Sequence, residues 1–201
     1  VVINLSYADQ CNDTGSILMK DVASMVARSE APAILVCSNG NYSRSDRISY
    51  PAAYSREFRE NVVAVGATTE CDQAIHVIDP DREHRRRLDR VGERDEWLYK
   101  RSDIGPGTTV VAPGHEIDVL CGPGTELDQS GIVLGRDTGA GTSHATAIVT
   151  GVLSRVWRQR PSATPKQVVE AVRSTADPLW RTPPRAPRRV NLRKALHAID
   201  R

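Results

Sequence analysis

The order of apolar and polar stretches predicts an α/β fold built on a largely parallel central sheet, and three observations carry that prediction. β-Branched apolar runs of strand length recur at "VVINLSY" (1–7), "AILVCS" (33–38) and "NVVAVGAT" (61–68), and runs of this kind fill strands buried on both faces. Between the first two lies "GSILMKDVASMVARS", in which Ile17, Leu18, Val22, Met25 and Val26 recur at helical spacing. Strand, helix, strand, loop, strand is the order produced by parallel strands joined through right-handed crossovers.

The remaining elements follow along the chain. "APAILVCSNGN" closes its strand in a turn of Asn and Gly, residues that accept turn geometry. Residues 70–104 then break the pattern. "DPDREHRRRLDRVGERDEW" is dense in both signs of charge and poor in core-type residues, so it reads as a solvated insertion, such as a hairpin, rather than a basic docking patch. Core-like sequence resumes at "TTVVAPG" and "EIDVLCG", followed by a Gly-rich loop and "GIVLG". From Thr142 to about Arg158 a helix is expected, with Ile148, Val149, Val152, Leu153, Val156 and Trp157 as a wide apolar stripe. "SATPKQVVEAVRSTAD" reads as the next helix, with Thr164 as N-cap, Pro165 in the first helical position and Gln167 completing a capping box. The last segment, from about 178 to 201, is Pro- and Arg-rich at first, expected to wrap the surface, and closes with "VNLRKALHAI" as a strand or short helix.

Composition narrows the function. At 201 residues, 39% of them hydrophobic, the chain is long enough for one domain with a substantial core. No run approaches the ~20 apolar residues of a membrane helix, and 27 basic against 25 acidic residues leave a net charge of +2, too little for a nucleic-acid footprint. Cys11, Cys37, Cys71 and Cys121 are too widely spaced for a C-x-x-C zinc pattern. Disulfides stay open as an alternative, but Cys37 and Cys121 sit in or beside apolar runs and read as buried thiols; no metal ligands are assigned. The chain opens inside a core-type strand without Met or signal peptide, so a sheet incomplete at its N-terminus is expected, with compartment unassigned.

The chemistry concentrates in "GAGTSHATAIVTG" (139–151). A serine hydroxyl becomes a nucleophile only with an adjacent base, and the charge it creates on a carbonyl needs donors. The first turn of a helix offers unpaired N–H groups and the positive end of the dipole, and Gly139 and Gly141 allow close approach of a substrate backbone. An anion cradle shares those features. However, no Lys adjoins Thr142 or Ser143 as a phosphate loop requires, and His144 occupies the third glycine position of a dinucleotide loop.

Five ordered matches give the chain a resemblance to the subtilisin-like serine peptidases, the subtilases. "VVINLSYA" resembles the strand that walls the family's substrate cleft, and "AILVCSNGN" its strand ending in A-A-G-N. "YPAAY" with "NVVAVGAT" is similar to Y-P-A-x-Y and V-I-A-V-G-A, "VVAPG" to its A-P-G turn, and "GTSHATAIVTG" to G-T-S-x-A-x-P-x-V-x-G. "VNLRKAL" also resembles the family's closing segment. The resemblance implies helices on both faces of the sheet, Ser143 as nucleophile and Asn41, rather than Asn39, in the oxyanion hole. It implies a polypeptide substrate running as an added strand beside Ser6, Tyr7 and Ala8, with Gly40, Gly141 and Thr142 lining the same cleft. It implies no cofactor, allows structural calcium, and favours secretion.

Two positions depart from the family pattern: Ala147 stands at the customary proline, and His144 follows the serine. One position along a helix, His144 cannot easily turn back onto Ser143 Oγ, so it reads as a packing or cleft-lining residue. The family's D-S-G (or D-T-G) and H-G-T-H motifs are absent, and His76, His84, His115 and His197 lie in unrelated contexts. The expectation is that this is the C-terminal, serine-bearing part of one catalytic domain. Its Asp and His would lie upstream in a missing N-terminal half, and the chain alone would be inactive. The rival expectations are a subtilase-like pseudoprotease or peptide-binding module, and an unrelated α/β protein binding phosphate at the Gly141 turn.

Overall fold

The computed structural model describes residues 1–10, 13–69, 97–115, 117–121, 135–179 and 187–200. Four strands form the parallel sheet in the order β1 (Val2–Leu5), β2 (Ile34–Ser38), β3 (Val62–Thr69) and β5 (Val110–Pro113). The two-residue β4 (Trp97–Leu98) pairs antiparallel with the end of β3, and β6 (Ile117–Cys121) with β7 (Gly135–Gly139) makes a separate antiparallel ribbon.

Burial on both faces follows directly from the apolar runs. In β2 the side chains of Ile34 and Val36 enter one core and those of Leu35 and Cys37 the other, as strand alternation requires. The first core is closed by α2 (Thr142–Gln159), α3 (Pro165–Ser174) and α4 (Leu192–Ile199), with Val149, Leu153 and Val156 of α2 fully buried against Val63, Val65 and Val110. The second is closed by α1 (Asp13–Arg28) and a 3-10 turn at Ala52–Arg56, where Ala23, Ile48 and Ala52 meet Leu35, Val62 and Ala64. The sheet therefore carries helices on both faces, as the resemblance implied.

Local signals were accurate where the physics is local. Thr164 caps α3 with the reciprocal Gln167 bonds of a capping box and Pro165 begins the helix. "VNLRKALHAI" resolves as the helix α4, capped by the Asn191 side chain on Lys194 N–H at 3.0 Å. Cys37 is a free, fully buried thiol. Cys11 and Cys71 lie outside the described residues, as does the Cys121 side chain.

Of the insertion expected at about 70–104, residues 70–96 lie outside the described residues; Trp97–Leu98 pair with the end of β3, and Ser102 and Asp103 are buried, Asp103 facing Arg44. Among the described residues no helix is long and apolar enough to cross a membrane.

Candidate functional site

The site lies where three loops meet at the carboxyl ends of the parallel strands. α2 begins at Gly141, whose φ of 144° and ψ of 166° belong to a region essentially reserved for glycine. Gly141 N–H donates to Gly114 O at 2.6 Å, so the A-P-G turn after β5 sets the height of the helix start.

Thr142 then ties that start to the loop after β2. Its backbone N–H donates to Asn41 Oδ1 at 2.9 Å and its hydroxyl donates to the same oxygen at 3.1 Å. The same hydroxyl accepts the Gly40 N–H at 3.3 Å. Oδ1 is thus engaged twice, whereas Asn41 Nδ2 has no protein acceptor among the described residues. The Ser143 N–H is likewise without a protein acceptor among them.

Ser143 is half-buried and faces the chain leaving β1. Its hydroxyl donates to Ser6 O at 3.3 Å, and the Ser6 hydroxyl lies 3.1 Å from Ser143 O and 2.9 Å from Asn4 Oδ1. Tyr7 is exposed; its hydroxyl donates to Asp9 Oδ2 at 2.9 Å, while its carbonyl accepts the Ser38 hydroxyl at 2.9 Å. Ala8 follows, half-buried, before the backbone bridge between Asp9 and Tyr50. Ser143, Asn41, Gly40, Gly141, Thr142 and Ser6 are thus one cluster, and residues 6–8 form its wall.

Asn39 is the other asparagine of that loop and is differently employed. It is fully buried, and its Nδ2 donates to Asp103 O at 3.1 Å and Thr108 Oγ1 at 3.0 Å. No imidazole or carboxylate bonds Ser143 Oγ among the described residues. The His144 ring packs over Gly139, and the His115 ring lies tilted by 37° against Tyr99 with centroids 5.1 Å apart. His76 and His84 lie outside the described residues. The N–H groups of Gly141 and Thr142 are engaged by Gly114 O and Asn41 Oδ1, so neither is open to a phosphate. Among the described residues no group of His, Cys, Asp and Glu side chains is placed to hold a metal ion.

A buried polar network supporting the Asn41 loop had no counterpart in the sequence reading. Asp103, Arg44 and Ser49 meet beneath Gly40. Their separation of up to 59 residues hides the contact from any local pattern.

The candidate site is thus a serine hydroxyl in the first turn of α2, tied through Thr142 to the loop after β2 and through Ser6 to the chain leaving β1. The subtilase family model matches residues 1–195, and the chain belongs to the subtilase family. Among solved structures it is similar to the subtilase cytotoxin SubAB assembly, with TM-score 0.69 and 23% identity over 98% of this chain and 58% of that one. It is also similar to the A-subunit of the AB5 toxin from E. coli, with TM-score 0.65 and 24% identity over 100% of this chain and 60% of that one. A mutant of the protease domain of PatA gives TM-score 0.64 and 21% identity, covering 99% and 59%. The chain therefore spans under two thirds of the length of these structures. No curated protein matches it in sequence.

Proposed function

We propose that the chain is the serine-bearing part of a serine endopeptidase that hydrolyses peptide bonds by acyl transfer through Ser143. The observation that supports this reading is that Thr142, the residue before Ser143, holds the Asn41 amide oxygen twice and leaves the NH2 group without a protein acceptor among the described residues. Ser143 Oγ attacks the peptide carbonyl and its proton passes to a histidine supplied from outside these residues. Asn41 Nδ2 and the Ser143 N–H receive the oxyanion. Collapse expels the amine with that proton, and water then hydrolyses the acyl-enzyme.

The polypeptide substrate runs as an added strand beside Ser6, Tyr7 and Ala8. Among the described residues β1 pairs with β2 alone, and Ile3 on it is exposed, an open edge that would accept the upstream portion of the domain carrying the histidine and its aspartate. The peptide-binding alternative retains the cleft and loses the reaction.

The test is Asn41→Ala in the full-length protein. The expected loss in kcat is about 10²–10³, the order found for oxyanion-hole donors in serine proteases, with KM little changed. Unchanged kcat would remove Asn41 from the mechanism. Absence of any Ser143-dependent hydrolysis, with peptide binding retained, would favour the binding module.

A further inference from the structure

Asn41 stands on an irregular loop between β2 and the 3-10 turn, and a donor that acts by preorganisation must be held there by something rigid. Asp103 brackets it. The Asp103 N–H donates to Gly40 O at 2.9 Å, one residue before Asn41. Its Oδ1 accepts the N–H of Tyr42 at 3.1 Å, one residue after, and that of Arg44 at 2.9 Å. Oδ2 accepts Arg44 Nε at 3.1 Å and Nη2 at 2.6 Å, and the Ser49 hydroxyl at 3.3 Å.

Asp103 is fully buried and the Arg44 side chain is 16% exposed. Gly40 makes this approach feasible: its φ is 107°, and a Cβ there would overlap Asp103 Oδ2 and lie 2.5 Å from Ser49 Oγ. A buried ion pair is a weak source of stability, since an apolar pair of the same volume does as well. What the carboxylate supplies is direction, an acceptor-only group that gathers donors on both oxygens at one fixed point.

We propose that Asp103 is a positioning residue for the oxyanion hole: its Arg44-paired carboxylate fixes the backbone on both sides of Asn41 and so aims the Asn41 amide at the reacting carbonyl. This deepens the proposed function and rests on Asn41 as the oxyanion donor. Asp103→Asn is nearly isosteric, but its single acceptor oxygen cannot serve both the loop N–H groups and Arg44. The loop then shifts while the wall at residues 6–8 stays in place.

The experiment is a double-mutant cycle in the full-length protease, comparing D103N, N41A and D103N/N41A, with folding followed by circular dichroism. D103N is expected to lower kcat about 10- to 100-fold, the scale of a misplaced catalytic group, with KM within about twofold. On the N41A background it is expected to cost no more than about twofold further, since no amide remains to be aimed. Equal losses on both backgrounds, or a rise in KM alone, overturn the positioning role and leave the oxyanion assignment standing. An N41A variant with unchanged kcat overturns both. Should D103N fail to fold, R44K keeps the charge and loses the two-pronged bond, and the same cycle run with it decides between the same outcomes.

Discussion

Asn41 Oδ1 and the Thr142 N–H meet at 2.9 Å although 101 residues separate them in the sequence. The bond joins the loop after β2 to the first turn of α2. Neither element has a reason of its own to hold the amide, and together they leave one end of it free. The arrangement ranks the substitutions around it.

Gly141→Ala should be the most damaging small change at the helix start. The residue occupies φ 144°, and an added Cβ would sit 3.1 Å from Asn41 Nδ2. Backbone strain alone is worth about 1–3 kcal/mol. We expect a loss of stability of that order, read as a lowered urea midpoint with an unchanged m-value, and loss of activity in the full-length protein. Wild-type stability in this variant would contradict the assigned backbone geometry.

Cys37 should be inert in the native chain. It is fully buried on β2, and desolvation pushes its thiol well above the ordinary range. Peptide mapping after brief iodoacetamide treatment at pH 8 should find Cys37 unmodified natively and modified in denaturant. Rapid native modification would mean that this core opens.

Acid should weaken the junction between α3 and α4. Lys194, then Asn191, bond the Asp177 carboxylate and hold its pKa below the usual value. The folded state thus favours the charged form. Its contribution is complete above the unfolded carboxylate value of about 4 and is lost as pH falls through the lowered folded value. Lys194→Met should raise the Asp177 midpoint in a carboxyl NMR titration, and an unmoved midpoint would contradict the assignment.

How legible the fold was depends on how far each cause reaches. The capping box at Thr164 and Gln167 and the apolar stripe through Val149, Leu153 and Val156 are set within a turn or two of chain, and the sequence displays them. Ser143 and Asn41 were singled out by the short motifs that surround them, and their proposed roles rest on those motifs. Asp103 was not, because a carboxylate in a charged stretch looks solvated until Arg44 and Ser49 arrive from another loop. The Ser6–Ser143 contact was hidden for the same reason, being made across 137 residues. The one available signal was Gly40, a glycine beside the candidate oxyanion residue at a position that leaves no room for a Cβ.

The most direct test of the account is covalent labelling with a fluorophosphonate, read by mass spectrometry, in the full-length protein and in residues 1–201 alone. The account predicts a single adduct on Ser143 in the full-length protein, abolished by Ser143→Ala, and negligible labelling or peptide turnover by the 201-residue chain without its base. An adduct on another serine, or robust Ser143-dependent turnover by the isolated chain, would contradict it.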